Sequence, residues 1–221
     1  MIVDLNLEGK SVVIFGAGHE AGRKVESLLS QKCHIVVIAE TAHENIRRRA
    51  HEGKIDLVYK RIYDPPELDN LKNLVLVIAA TDDFMLNRRL AKISREKRLY
   101  TYCVDDPSNS DFSHPAVINL QDIAVLSIST GGKSPLMAKR LREKLEPIIH
   151  ASISTSEINQ IKLQEKIRPK AKLKFQMLDH RRKFLLQVAD DLEIKHLLEL
   201  GQFEKAEKIA EDLLDSFVLD N

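Results

Sequence analysis

Short apolar runs alternate with amphipathic stretches through the first hundred residues. The segments SVVIF at 11–15, HIVVIA at 34–39 and LVLVIA at 74–79 lack polar alternation, the pattern of strands covered on both faces. Weaker strands are predicted at 56–60 and 100–104. Between them the helical period returns. Residues 20–30 place Ala21, Val25, Leu28 and Leu29 on one face, residues 45–51 read as a mostly polar helix, and residues 83–97 as a longer amphipathic one. Asp64-Pro65-Pro66 marks a loop. Strands alternating with helices predict an α/β fold, a Rossmann-type parallel sheet wound on both sides.

After Asp105 the pattern changes. Residues 116–120 and 123–129 are two strands separated only by Gln121-Asp122, which suits a hairpin. Ser134-Pro135 starts a helix, with serine as N-cap and proline at the first helical position. That helix is expected to weaken at Pro147. From about residue 152 the chain is helical and polar. Arg168-Pro169 is expected to divide it, and residues 192–219 to form a helical hairpin turning at Gly201.

The strand at 11–15 runs into Gly16-Ala17-Gly18-His19-Glu20-Ala21, a G-x-G-x-x-A pattern that opens a helix. Gly16 permits the tight turn, Gly18 lets the backbone approach a pyrophosphate, and Ala21 allows close helix–strand packing. The helix start offers free N–H groups and positive dipole to phosphates, with His19 and Glu20 beside them. Glu40 ends the second strand, ~20 residues on, where an acid bonds the adenosine ribose and repels a 2′-phosphate. NAD is therefore the expected cofactor. Ala80 and Thr81, at the end of the fourth strand, leave room for a dinucleotide, and the Thr81 hydroxyl is a candidate bond to it. Asp82 and Asp83 have the alternative role of capping the next helix.

Charge narrows the partners. Lys plus Arg is 34 and Asp plus Glu is 33, which gives no general attraction to nucleic acid or acidic membranes. The basic run at 162–174 lacks interleaved aromatics before Phe175 and reads as a solvated helical face, so no nucleic-acid partner is expected. The apolar stretch at 74–80 is far short of a membrane span. The start, MIVDLNLEGK, has no basic region followed by an apolar one. A cytoplasmic location is expected, with Cys33 and Cys103 as reduced, buried thiols. The histidines offer no close pair spaced for a preformed metal site, so no resident metal is expected.

Three segments together resemble the precorrin-2 dehydrogenase family, the amino-terminal part of siroheme synthases. They are Gly16-Ala17-Gly18 continuing to Ala21-Gly22-Arg23-Lys24; Ala79-Ala80-Thr81-Asp82-Asp83 with Asn87; and Val104-Asp105-Asp106-Pro107 through Asp111-Phe112 and Pro115-Ala116-Val117-Ile118 to Ser127-Ile128-Ser129-Thr130-Gly131-Gly132-Lys133-Ser134-Pro135. The last is the most specific. The resemblance implies an NAD-binding Rossmann domain over 1–113, a dimerisation and active-site segment over 114–150, and a helical domain over 151–221. It implies a homodimer that oxidises precorrin-2 to sirohydrochlorin with NAD+. Some members of the family then insert ferrous iron to give siroheme, and others lack that step.

Residue by residue, Asp105 matches the family's essential aspartate and is expected to act as catalytic base. The alternative is that Asp105 or Asp106 only starts the turn at Pro107. Thr130, Gly131, Gly132, Lys133 and Ser134 form a turn before a helix whose N–H groups suit the carboxylates of the tetrapyrrole. Thr130 stands where some relatives carry serine. His114 is expected to border the substrate. Two readings compete with the enzyme. An NAD-sensing module explains residues 11–105 equally well but leaves 129–135 unexplained, and a tetrapyrrole carrier would keep the pocket without turnover.

Overall fold

A computed structural model of the chain describes residues 2–62, 68 and 70–217. The loop expected at Asp64-Pro65-Pro66 lies outside the described residues. The chain divides into two compact units, Met1–His114 and Pro115–Asn221.

In the first unit, β1 (Ser11–Phe15), β2 (His34–Ala39), β3 (Asp56–Tyr59), β4 (Leu74–Ala79) and β5 (Tyr100–Cys103) form one sheet in the order β3-β2-β1-β4-β5. Every neighbouring pair is parallel. The helices are α1 (His19–Leu28), α2 (Glu44–His51) and α3 (Phe84–Glu96). Successive strand residues point to opposite faces. Val12, Ile14, Val37 and Ile78 pack with Ala21, Val25 and Ile46 of α1 and α2, and Val13, Phe15, Val36 and Val77 pack with Leu90 and Ala91 of α3. Cover on both faces is the reason the strands lack polar positions. The order reverses at β1, with β2 on one side and β4 on the other, which opens a crevice at their carboxyl ends.

The second unit begins with an antiparallel hairpin, β6 (Ala116–Leu120) and β7 (Ala124–Ile128). Gln121 and Asp122 take φ of 56° and 57°, the two left-handed residues of a type I′ turn. The Asn119 side chain compensates for the missing glycine, donating to Asp122 Oδ1 and accepting from the Asp122 N–H. Five helices follow: α4 (Pro135–Ser152), α5 (Thr155–Lys174), α6 (Leu178–Asp190), α7 (Leu192–Glu199) and α8 (Phe203–Ser216). Leu163, Ile167, Phe184, Val188, Leu198 and Ala210 are the centre of the core that α5 to α8 share. The hairpin expected at Gly201 is present between α7 and α8, with Gly201 at φ 70°.

One expectation fails: Pro169 does not divide α5. The helix α4 also continues through Pro147. Each proline removes one N–H donor and frees the carbonyl four residues earlier. Pro147 and Glu143 are both exposed, as are Pro169 and Glu165, so water solvates those carbonyls. Ile167 and Ala171, buried on the opposite face, keep α5 anchored. The basic run also differs from a plainly solvated face. Lys166 pairs with Glu207 at 2.6 Å, Lys170 pairs with Glu211, and Lys174 donates to the carbonyls that end α8. The stability of this bundle rests on its aromatic centre, where Phe175, Phe184 and Phe217 meet with centroids 5.3–5.8 Å apart. Phe184→Ala is expected to cost about 3–5 kcal/mol, read as a lower denaturation midpoint of the helical unit.

Candidate active site

The end of β1 is held against the end of β4. Gly16 N–H donates to Ile38 O at 2.9 Å and Ala80 N–H to Phe15 O at 2.8 Å. Gly16 takes φ +99°, and a Cβ there would fall 2.2 Å from the Ala80 carbonyl oxygen. This position admits only glycine. Gly18 has an ordinary φ of −82° and open space where a Cβ would be. The fold does not require glycine there, whereas close approach of a ligand does. Ala21 is fully buried against the sheet.

The amino end of α1 has no side-chain cap, so its first N–H groups face outward with the positive end of the helix dipole. Just before that helix start, Gly16–Gly18 line a cleft of about 510 Å³ together with Glu40, His43 and the Thr81 turn, a size that suits a cofactor. A more open depression of about 570 Å³ lies along β3 at Arg47 and Tyr59 and has no glycine turn. The Glu20 carboxylate turns to Arg23 at 2.6 Å, and neither Glu20 nor His19 lines the cleft. Glu40 reaches the cleft and carries Arg61 at 3.3 Å.

His43 is a cleft residue the sequence did not single out. Its backbone N–H donates to Ala17 O at 2.9 Å, its ring caps α2, and it lies 4.3 Å from the His19 ring. The only sequence signal for it was its place just before a helix, three residues beyond Glu40.

Asp83 caps α3, accepting from the N–H groups of Met85 and Leu86. Thr81 turns its hydroxyl inward, donating to Asn87 Oδ1 at 2.7 Å. Asn87, wholly buried, also accepts the Thr81 N–H at 3.2 Å and donates from Nδ2 to Thr81 O at 3.0 Å and to Asp105 Oδ1 at 3.1 Å. Asp105 stands just beyond β5, exposed, and its Oδ2 accepts no hydrogen bond from the described residues.

The two neighbouring aspartates have divided the roles. Asp106 accepts from the Ser108 N–H and hydroxyl, from Asn109 and from Arg88. Those donors, Ser108 and Asn109 foremost, hold its carboxyl well below the usual carboxylate range. Asp106 therefore builds the turn at Pro107, and Asp105 does not.

His114 ends the first unit, its ring edge-on to Tyr102 at 4.5 Å and near Phe112 at 5.4 Å. Removal from water, and then the Lys24 charge, pull its pKa down to about 4. Lys24 lies 4.5 Å over the Tyr102 ring, and burial lowers its own pKa. In the second unit the Thr130 hydroxyl accepts the Ser134 N–H at 3.0 Å, and Ser134 caps α4 through the Met137 N–H. Gly131 and Gly132 take φ of 61° and 79°. The hydroxyls of Thr130 and Ser134 are thus spent on the turn, and Lys133 is left as its charged side chain. Among the described residues no three His, Cys, Asp or Glu side chains converge as metal ligands, and no helix is long and apolar enough to cross a membrane.

A glycine turn feeding a helix, at the switch point of a parallel sheet with an acid at the end of β2, defines a dinucleotide-binding Rossmann protein. The chain belongs to the family described as "Putative NAD(P)-binding", which matches residues 3–116, and residues 126–146 match "Sirohaem biosynthesis protein central". NAD, the expected cofactor, agrees with that family. The chain is 30% identical to the siroheme synthase of Actinobacillus pleuropneumoniae serotype 3 (strain JL03), over 94% of this chain and 41% of the relative. It is 32% identical to that of Blochmanniella floridana, over 93% and 43%. It thus spans about two-fifths of the curated relatives it matches. The fold is that of the solved structure of SirC, precorrin-2 dehydrogenase, at a TM-score of 0.67 and 22% identity, covering 98% of this chain and 100% of that one.

Two predictions follow from this geometry. Gly16→Ala should destabilise the first unit by about 3 kcal/mol or more, whereas Gly18→Ala should stay within about 1 kcal/mol of wild type in chemical denaturation. In calorimetry Gly18→Ala should nevertheless weaken NAD binding by about tenfold or more. The His114 imidazole should stay neutral from pH 8 down to 5 in nitrogen-detected NMR. Because its folded pKa lies below the unfolded 6.5, the stability it contributes is present above pH 6.5 and lost as the pH falls toward about 4.

Proposed function

We propose that the chain is an NAD-dependent precorrin-2 dehydrogenase. The observation that carries this reading is Asp105, a carboxylate at the end of β5 with one oxygen held and the other open, tied through Asn87 to the turn that bounds the cofactor cleft. Gly16, Gly18, Ala80 and the first N–H groups of α1 would hold the dinucleotide, with Glu40 on the adenosine ribose. NAD+ supplies a hydride acceptor when bound. As a C–H bond of precorrin-2 breaks with its electron pair, a proton must also leave the macrocycle, and Asp105 Oδ2 takes it. The balance is sirohydrochlorin, NADH and one proton. The turn from Thr130 to Ser134, with Lys133 and the dipole of α4, is assigned to the carboxylates that rim the tetrapyrrole, and His114 to its border as a neutral ring.

The reading places the protein in the cytoplasm as a homodimer. Val117 and Val125 on the outer face of the hairpin, and Met137, Leu141, Leu145 and Ile148 along α4, are exposed, an apolar surface that a second copy would cover. A sedimentation profile of monomer alone at micromolar concentration would refute the dimer.

Purified protein with precorrin-2 and NAD+ is expected to give the sirohydrochlorin spectrum, and Asp105→Asn to lower kcat by roughly a hundredfold while binding NAD as wild type does. No product from the wild-type protein at any NAD+ concentration would leave the NAD-sensing reading in its place. The same assay with ferrous iron, a second substrate, reads out siroheme.

A further inference from the structure

We infer that Asn87 is a positioning residue for the dehydrogenation, holding the Asp105 carboxylate in a fixed orientation and locking it to the Thr81 turn of the cofactor cleft. The inference rests on the assignment of Asp105 as base. Asn87 sits in the first turn of α3 and is 0% exposed. A primary amide has two donor protons and two acceptor lone pairs, and here all four are used. Oδ1 takes the Thr81 N–H and hydroxyl, and Nδ2 gives one proton to Thr81 O and the other to Asp105 Oδ1. The amide cannot flip, because the reversed group would set N–H against N–H and oxygen against carboxylate.

Its own carbonyl receives the Cys103 thiol at 3.6 Å, which ties α3 to the end of β5. One side chain thus fixes the turn after β4 and the acid after β5. A helix cap does not explain it, since Asp83 already caps α3. Packing does not explain it either, since an apolar side chain there would strand the Thr81 N–H.

Asp106, paired with Arg88, and Cys103 are charged or titratable neighbours of Asp105. Asn87→Asp keeps the shape, but its outer oxygen must face both Thr81 O and Asp105 Oδ1. That pair is satisfied only by retaining a proton between the two carboxyls. In Asn87→Asp the acid limb of the kcat/KM profile for precorrin-2 is expected to move up by about one pH unit or more. Carbon-detected NMR of the Asp105 carboxyl, in full-length protein without substrate or NAD, should show the same displacement. Asn87→Ala is expected to lower kcat by about tenfold or more with KM for precorrin-2 nearly unchanged, and to weaken NAD binding severalfold as the Thr81 turn loosens.

In Asn87→Asp the added carboxyl shifts the Asp105 titration whatever Asn87 does, so Asn87→Ala decides. There, loss of the Nδ2 donor is expected to raise the acid limb, whereas a merely structural asparagine would reduce the folded fraction and leave the acid limb and kcat per folded molecule at their wild-type values. That result in folded Asn87→Ala overturns the proposal. Full turnover by Asp105→Asn would instead overturn the assignment of the base. The Asp105 carboxyl titration in Asn87→Ala would still decide whether Asn87 holds Asp105.

Discussion

The close passage of two backbones, at Gly16 and Ala80, is the constraint from which the site is built. Parallel pairing brings the carboxyl ends of β1 and β4 side by side, and the chain must leave each strand in a different direction. At Gly16 it turns with a left-handed φ against the Ala80 carbonyl, with no room for even a methyl group. That contact sets where α1 begins, and so where its unpaired N–H groups point. It also fixes the start of the Thr81 turn, from which Asn87 and then Asp105 are suspended. Cofactor cleft and candidate base are therefore joined by one crowded contact rather than by separate loops.

Polar residues near this contact are divided between holding shape and remaining available. Asp83 caps a helix, Asp106 fastens a turn, Thr81 faces inward, and Asn87 spends its whole hydrogen-bonding capacity. Asp105 keeps one oxygen held by Asn87 and the other without a partner among the described residues. Preorganisation of this kind suits proton transfer, because a carboxylate already oriented needs little rearrangement as the reaction proceeds.

The second unit shows how tertiary context overrides a local rule. A proline inside a helix costs about 3 kcal/mol, yet α4 and α5 each contain one. Both lie on wet faces, where the orphaned carbonyl meets water, and in α5 the buried face opposite supplies compensating contacts. The basic stretch of α5 likewise became a set of ties to α8, since the fold laid acids alongside it.

The sequence by itself determined the parallel sheet, the turn at Gly16-Ala17-Gly18 and the helical hairpin at Gly201, because each is written in local periodicity or in a residue only one backbone conformation accepts. It also marked Asp105, through the resemblance of its neighbourhood to a family. Which of Asp105 and Asp106 would be free, what Asn87 does, and that His43 lines the cleft were decided only by tertiary structure. Those roles depend on which hydrogen-bond donors and which rings arrive from distant segments. Asn87 meets Asp105 across 18 positions of chain, and His43 meets His19 across 24. No residue's own identity encodes the partner that folding brings to it.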